Sequence, residues 1–236
     1  MVLVDARVGP RESVIEGSVV ADLECDLSAP GDTAAYGRHP LPALDEWCTT
    51  VGRWGISPNT DVVVFDAQHG GLAAARCWWM LRAIGHQRVT VVSVQDAARL
   101  SGQACASEPP YPCASWQLPI ATSDLVERVR NDPMWRVVDA RAAERFSGVV
   151  EPLDPVAGHI PGAVNLPWAA HTDLNTFRSR ADELLAGVRP DHTIVSCGSG
   201  VTACHTLLQL DRLGRELPAL YVGSWSAWCR QDRPVG

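Results

Sequence analysis

Short apolar runs separated by longer mixed segments dominate the pattern of hydrophobic and polar positions along the chain. The runs are long enough for buried strands and too short for helices. They occur at residues 3–4, 62–65, 89–92, 137–138, 193–196 and 219–222. Helical spacing of apolar residues follows two of them, at 71–84 and 201–213, and each of these segments ends near a glycine. Strands that alternate with helices predict parallel sheets and an α/β fold.

The pattern occurs twice, once in each half of the chain. The sequence of residues 3–7 resembles that of 137–141, and the apolar run at 61–66 corresponds to the run at 192–197. We therefore expect two similar domains, each a mostly parallel sheet flanked by helices. A segment rich in Pro, Ser, Ala and Cys separates them, which is typical of a linker. The predicted boundaries are 1–103 for the first domain, 104–121 for the linker and 122–236 for the second domain.

Cys197 lies directly after a predicted strand and just before the helix predicted to begin at Val201. The unpaired backbone N–H groups at the start of a helix favour negative charge, so they stabilise a thiolate, the reactive form of cysteine. Gly198 and Gly200 allow the backbone to curve around the sulfur. Asp66 stands at the corresponding place in the first half. We therefore expect a cysteine nucleophile in the second domain only.

The amino-acid composition and charge exclude or disfavour several kinds of functional site. The chain contains no lysine, since all 20 basic residues are arginine, which excludes a Schiff-base lysine and a P-loop lysine. The net charge of -7 argues against nucleic-acid binding. The eight cysteines form no C-x-x-C pair and no His/Cys cluster with zinc spacing, so no metal site is expected.

Two further observations concern where the protein works. No apolar run approaches the roughly 18 residues that a membrane span requires. The residues after Met1 do not have the pattern of a signal peptide. We therefore expect a cytoplasmic protein that does not bind membranes.

Several motifs together resemble the tandem-domain rhodanese sulfurtransferases over nearly the whole chain. They are Asp139-Ala140-Arg141, Arg145-Phe146, the run Gly158-His159-Ile160-Pro161-Gly162-Ala163, the loop from Cys197, and Gly223-Ser224-Trp225-Ser226. The resemblance implies two rhodanese-like domains, of which the first is non-catalytic. The resemblance also leads us to expect a trimmed first domain, because this sequence begins at the first strand, before which the family has a helix.

The neutral loop Cys197-Gly198-Ser199-Gly200-Val201-Thr202 resembles that of the 3-mercaptopyruvate sulfurtransferases within the family. Thiosulfate sulfurtransferases usually have basic residues after the cysteine. Thiosulfate is a dianion that gains from cations beside its sulfur, whereas the charge of 3-mercaptopyruvate is a carboxylate remote from the thiol. The neutral loop therefore favours 3-mercaptopyruvate as the sulfur donor.

The resemblance also implies roles for particular residues. Arg145 corresponds to an arginine that binds the substrate carboxylate. The family's second such arginine, nine positions later, aligns with Asp154, so one carboxylate-binding arginine is expected to be missing. His39 and Glu24 correspond to a histidine and an acid that the first domain places near the cysteine; the acid is usually an aspartate.

The implied mechanism is attack of the Cys197 thiolate on the thiol sulfur of 3-mercaptopyruvate, which yields a persulfide. Backbone N–H groups from Gly198 to Thr202, including those of Gly200 and Val201, hold the charged sulfur. Ser199 relays a proton with His39 and Glu24. A thioredoxin-like protein, a small thiol or cyanide then accepts the sulfur, by a reaction like thiol–disulfide exchange. No cofactor is implied.

Other functions stay open at this point. Thiosulfate as the main donor is one alternative, and a weakly catalytic persulfide carrier or binding module is another. Residues 198–203 also match the dinucleotide motif G-x-G-x-x-A, but the next strand ends without the acid that binds the ribose. A cysteine phosphatase needs an arginine six residues after the cysteine, where this chain has Ala203.

Overall fold

The computed structural model describes residues 1–6, 15–67, 72–100, 106–170 and 173–236. The strands in these ranges are β1 (Val2–Asp5), β2 (Val19–Val20), β3 (Val62–Asp66), β4 (Val89–Ser93), β5 (Ile120–Ala121), β6 (Arg136–Asp139), β7 (Val164–Asn165), β8 (Thr193–Ser196) and β9 (Ala219–Tyr221). The α-helices are α1 (Thr33–Tyr36), α2 (Leu44–Arg53), α3 (Ala73–Ala83), α4 (Val94–Ala97), α5 (Ser123–Val129), α6 (Ala143–Phe146), α7 (Leu174–Leu184), α8 (Thr202–Arg212) and α9 (Ser224–Trp228). None of these helices is long and apolar enough to cross a membrane.

The chain forms two compact units. The first consists of Met1–Ala29 and Leu41–Leu118, and the second of Pro30–Pro40 and Pro119–Gly236. The short segment Pro30–Pro40 thus belongs to the second unit, although it lies in the first half of the sequence. Helix α1 of this segment packs against α9, which is also in the second unit.

The first unit contains a sheet whose described strands have the order β2-β1-β3-β4, all parallel. Helix α3 is apolar around nearly its whole circumference, and Trp78, Trp79 and Met80 are fully buried. Such a helix requires burial on all sides. Asp66, at the end of β3, accepts hydrogen bonds from the N–H groups of Leu72 (3.3 Å) and Ala74 (3.2 Å). Asp66 therefore caps α3 instead of providing a nucleophile.

The second unit contains a larger sheet, with described strands in the order β5-β9-β8-β6-β7, again all parallel. Strand β6 pairs with β8, with Val137 opposite Ile194. The equivalent pair in the first unit is β1 with β3, where Leu3 lies opposite Val63. The predicted α/β class and the repeated plan of parallel sheets flanked by helices are confirmed.

Side chains of successive strand residues enter different cores in the second unit, as the two-residue period of a strand requires. Val137 packs with Ile194 and Trp225 in one buried cluster, whereas Val138 packs with Phe177 and Leu210 in another. Burial on both faces explains why these strands are continuously apolar. Strand β8, at the centre of the sheet and buried on both faces, therefore fixes the position of Cys197, the residue that follows it.

Candidate active site

The loop between β8 and α8 forms a cradle around the sulfur atom of Cys197. Cys197 is the first residue after β8, and its side chain is buried. The backbone N–H of Gly200 donates a hydrogen bond to Cys197 Sγ, with a distance of 3.2 Å. Helix α8 begins two residues later, at Thr202. An N–H donor and the start of a helix both favour negative charge on the sulfur.

Gly200 is required for the shape of this loop. Its φ angle is +75°, a conformation that L side chains rarely adopt. A Cβ atom at this position would lie 2.5 Å from the carbonyl oxygen of Val222. A side chain at this position would therefore displace the loop, and with it the Gly200 N–H that donates to the sulfur.

Helix α9 holds the loop from its other side. Ser224 Oγ accepts a hydrogen bond from the N–H of Cys197 (3.0 Å) and donates one to the carbonyl oxygen of Tyr221 (2.8 Å). The N–H groups of Trp225 and Ser226 donate to the carbonyl oxygens of Cys197 and Gly198. These bonds direct the loop carbonyls away from the sulfur, so that their negative ends do not oppose a thiolate.

Ser199 and His39 form a hydrogen-bonded pair in the same unit. Ser199 Oγ lies 2.7 Å from His39 Nδ1, and which of the two atoms donates depends on the tautomer of the imidazole. Ser199 is buried and His39 is half-buried. A hydroxyl bonded to an imidazole is able to transfer a proton in either direction.

Arg145, at the end of α6, is held by a buried carboxylate. Its Nε and Nη2 atoms donate to Glu151, at 3.2 and 2.7 Å. The side chain of Glu151 is only 2% exposed, and it also accepts from Arg141 Nη1 (3.3 Å). The two hydrogen bonds from Nε and Nη2 of Arg145 to Glu151 fix the plane of the Arg145 guanidinium.

Asp154 is a second buried carboxylate close to these arginines. It accepts from Nε and Nη2 of Arg38 (3.2 and 3.3 Å) and from Nη1 of Arg230 (2.7 Å). Arg145 Nη2 also lies 3.5 Å from Oδ2 of Asp154. The position at which the sequence suggested a missing arginine therefore holds an acid that binds an arginine from the segment Pro30–Pro40.

The guanidinium groups of Arg38 and Arg145 meet beside the catalytic loop. A Cβ atom built at Gly198 would lie 3.2 Å from Arg145 Nη1 and 3.2 Å from Arg38 Nη2. Gly198 is the residue directly after Cys197. The loop is neutral in sequence, but two cations lie next to it in the structure.

Cys229, a second thiol of this unit, has different surroundings. Burial raises the pKa of the Cys229 thiol, and the negative charge of Asp154 raises this pKa further. Cys229 therefore stays protonated at neutral pH and is a poor nucleophile. Within the described ranges, no group of three or more His, Cys, Asp or Glu side chains is placed to hold a metal ion.

The structure brings most of the predicted site residues together in the second unit. The set comprises Cys197, Gly198, Ser199, Gly200, His39 and Arg145. Val201 and Thr202 form the start of α8, but among the described hydrogen bonds only the N–H of Gly200 reaches the sulfur. Glu24 belongs to the first unit, where it is exposed on a turn after β2, and its part in the reaction stays a prediction.

Five residues that build the site were not predicted to do so from the sequence: Arg38, Glu151, Asp154, Ser224 and Arg230. Ser224 lies in the motif Gly223-Ser224-Trp225-Ser226, which contributed to the resemblance, so a signal for it was present. The pairs that Asp154 forms with Arg38 and Arg230 carry no local signal, because they join residues 116 and 76 positions apart. Glu151 lies only six residues after Arg145, but no sequence motif marks it as the partner of that arginine.

Comparisons with known proteins identify relatives over nearly the whole chain. The family model described as "Rhodanese-like domain" matches residues 122–231. A Pseudomonas aeruginosa protein named "Probable 3-mercaptopyruvate sulfurtransferase" is 37% identical over an alignment of 255 positions, which covers 98% of this chain and 87% of that protein. The thiosulfate sulfurtransferase of Gallus gallus is 32% identical, with 98% and 83% covered. The solved structure of 3-mercaptopyruvate sulfurtransferase from Leishmania major has a TM-score of 0.74 at 28% identity, covering 98% of this chain and 71% of that one.

Proposed function

Because the chain belongs to the rhodanese family of sulfurtransferases, we propose that it moves a sulfur atom from 3-mercaptopyruvate, through a persulfide on Cys197, to a thiol or cyanide. The observation that carries this proposal is the hydrogen bond from the Gly200 N–H to Cys197 Sγ. A backbone donor aimed at a buried sulfur stabilises the charged thiolate and the charged persulfide alike. The names of the relatives support the choice of donor.

In the first half-reaction the Cys197 thiolate attacks the thiol sulfur of 3-mercaptopyruvate. The new S–S bond forms as the bond between that sulfur and carbon 3 breaks, and the electron pair of the broken bond passes to carbon 3. The proton of the donor's thiol is transferred to that carbon, so that pyruvate leaves and a persulfide anion remains on Cys197. No external oxidant or reductant is needed.

The transfer of this proton requires a relay between the donor's sulfur and its carbon 3. Ser199 and His39 are suited to this role because they share a 2.7 Å hydrogen bond and Ser199 lies two residues after Cys197 in the same loop. The Arg145 guanidinium, at the edge of the loop, is suited to bind the donor's carboxylate. A charge-assisted hydrogen bond of this kind contributes about 1.5–3 kcal/mol.

In the second half-reaction an acceptor thiol attacks the outer sulfur of the persulfide. The S–S bond breaks, the Cys197 thiolate is restored, and the acceptor leaves as a persulfide. A thioredoxin-like protein or a small thiol is the acceptor that we propose. Such acceptors must be reduced, which favours the cytoplasm as the place of reaction.

Thiosulfate is the second candidate donor. The two guanidinium groups beside Gly198 favour it, since they bring to the loop the positive charge that a dianion requires. The Gallus gallus relative is named for this activity. A direct comparison of both donors decides between them.

The test of the proposed function is sulfide release by the purified protein in the presence of dithiothreitol, with 3-mercaptopyruvate and thiosulfate in parallel. We expect a preference for 3-mercaptopyruvate, and a fall of at least about a thousandfold in Cys197→Ser, because the covalent route is lost. Cys229→Ser is the matched control and should retain the activity. Sulfur transfer that survives in Cys197→Ser would show that Cys197 is not the nucleophile.

A further inference from the structure

We propose that Arg38 is a second anion-binding residue of the Cys197 site, which binds the donor's carboxylate together with Arg145, and that Asp154 positions it. The inference rests on the proposed function, because it concerns the donor of that reaction. It departs from the expectation that this protein has lost one of two carboxylate-binding arginines. In its place, an acid at position 154 recruits an arginine that lies 116 residues earlier in the chain.

The orientation of Arg38 supports this role. Asp154 binds Nε and Nη2 of Arg38 on one edge of the guanidinium, and the Asp154 side chain is fully buried. Among the described hydrogen bonds none involves Nη1 of Arg38 or Nη1 of Arg145. Both side chains keep a partial exposure, 23% for Arg38 and 19% for Arg145. Each arginine is thus anchored through one edge, with N–H donors left for a ligand.

The convergence of the two arginines is the second observation. Both approach within 3.2 Å of the position that a Cβ atom of Gly198 would occupy, and any larger residue there would contact them. Two guanidinium groups that lie beside the same atom position repel each other unless negative charge lies between or beside them. Glu151 and Asp154 supply that charge on the buried side. An anion on the open side would be stabilised by both cations.

The charge of the whole cluster also favours an anion. Its buried or half-buried members are connected by ion pairs, and arginines outnumber acids by one. The cations are Arg38, Arg141, Arg145 and Arg230, and the anions are Asp139, Glu151 and Asp154. A carboxylate ligand neutralises the remaining positive charge, and its planar pair of oxygens matches two guanidinium groups.

The first experiment compares two sulfur donors that differ only in charge near the reacting group. 3-Mercaptopyruvate has a carboxylate, whereas 1-mercaptopropan-2-one has a methyl group in its place. In Arg38→Gln we expect kcat/KM for 3-mercaptopyruvate to fall about 10- to 100-fold, mainly through KM, because a charged hydrogen bond is lost. The loss with the neutral donor should be much smaller. Arg189→Gln, which removes an exposed arginine paired with Asp191, is the control.

Equal losses with both donors in Arg38→Gln would overturn the proposal, since they would show a general structural effect. Asp154→Asn tests the positioning role. It should reproduce the selective rise in KM, because Arg38 loses its charged partner, and it should have little further effect in the double variant with Arg38→Gln. A full additional loss in the double variant would contradict the assignment of Asp154.

The second experiment does not require sulfur transfer. The rate of alkylation of Cys197 is measured with iodoacetate, an anion, and with iodoacetamide, its neutral analogue, by mass spectrometry of the peptide that contains Cys197. The ratio of the two rates should fall about tenfold in Arg38→Gln, since attraction of the anion is lost. An unchanged ratio would refute the role of Arg38. If the wild type does not turn over 3-mercaptopyruvate, the proposed function fails, but this ratio still decides whether Arg38 binds anions.

Discussion

The reactive groups around Cys197 are single side chains whose positions depend on one or two hydrogen bonds each. Gly200 supplies an N–H to the sulfur, and Ser224 holds the N–H of Cys197 on the opposite side. Ser199 is the only member of the catalytic loop whose hydroxyl is bonded to an imidazole among the described residues. Each of these hydrogen bonds helps to position the groups around Cys197, and a single substitution can remove it.

Substitution of Ser199 by alanine tests the proton relay. We expect kcat with 3-mercaptopyruvate to fall about a hundredfold, because a positioned proton donor is lost, whereas KM changes little. His39→Gln should give a similar loss. The double variant should be only slightly worse than either single variant, because the two side chains act as one unit.

Steady-state kinetics of the four proteins provide the measurement, and Ser179→Ala, an exposed serine on α7, is the control. Independent effects of Ser199→Ala and His39→Gln, whose losses multiply in the double variant, would contradict a shared relay.

At the scale of elements, the junction between β8 and α8 depends on a close backbone contact. The positive φ of Gly200 and the 2.5 Å approach of its hypothetical Cβ atom to Val222 both exclude a side chain. Gly187 offers a matched comparison, since its φ is +73° and no atom lies within 4 Å of its hypothetical Cβ atom.

We expect Gly187→Ala to lower the free energy of unfolding by about 1 kcal/mol, which is the cost of the backbone conformation. Gly200→Ala should cost about 1–3 kcal/mol more, because the loop must also move away from the backbone of Val222. It should also reduce activity, since the Gly200 N–H would turn away from the sulfur. Urea unfolding and sulfide release measure both effects. Equal losses in the two variants would show that the contact with Val222 is unimportant.

At the scale of the whole molecule, the two units share a parallel sheet flanked by helices but differ in the residue at the place of Cys197. The described strands form a sheet of four in the first unit and of five in the second. The cysteine that follows β8 is the proposed nucleophile of the second unit, whereas the corresponding acid, Asp66 at the end of β3, caps a helix in the first. Each unit also buries a histidine, His86 in the first and His205 in the second.

These histidines predict how stability depends on pH. Burial lowers the pKa of His205 to about 4, and the nearby Arg212 contributes to the shift; burial also lowers the pKa of His86. Because the folded state binds a proton less readily than the unfolded state, stability is fully present above pH 6.5 and is lost as the pH falls toward 4. Between pH 7.5 and 5.0 the loss from His205 alone is about 2 kcal/mol.

Urea unfolding at both pH values, followed by tryptophan fluorescence, measures this loss. His205→Phe keeps an aromatic ring beside Trp168 but cannot titrate, so the pH dependence should shrink by about 2 kcal/mol even if the variant is less stable at both pH values. An unchanged pH dependence in His205→Phe would show that His205 does not carry it.

Much of the fold was predictable because its signals are local. The apolar run at 193–196 became β8, and the helix predicted at 201–213 is α8, Thr202–Arg212. Apolar side chains recur every two residues in a strand with one buried face and about every 3.6 residues on one face of a helix. Both patterns involve only nearby positions, so the sequence shows them without a structure. The place of Cys197 between these elements follows from the same local pattern. The relation to the rhodanese family is confirmed.

The partners of the site residues were decided by tertiary structure. His39 meets Ser199 across 160 positions of sequence, and Arg38 meets Asp154 across 116. With 20 arginines and 27 acidic residues, the sequence permits very many ion pairs. Burial selects among them, because a carboxylate removed from water, such as that of Asp154, must be paired with cations. The sequence alone thus determined that Cys197 lies between a buried strand and a helix, because that pattern is local. Only the folded chain determined which charges surround Cys197, because those residues are distant in sequence.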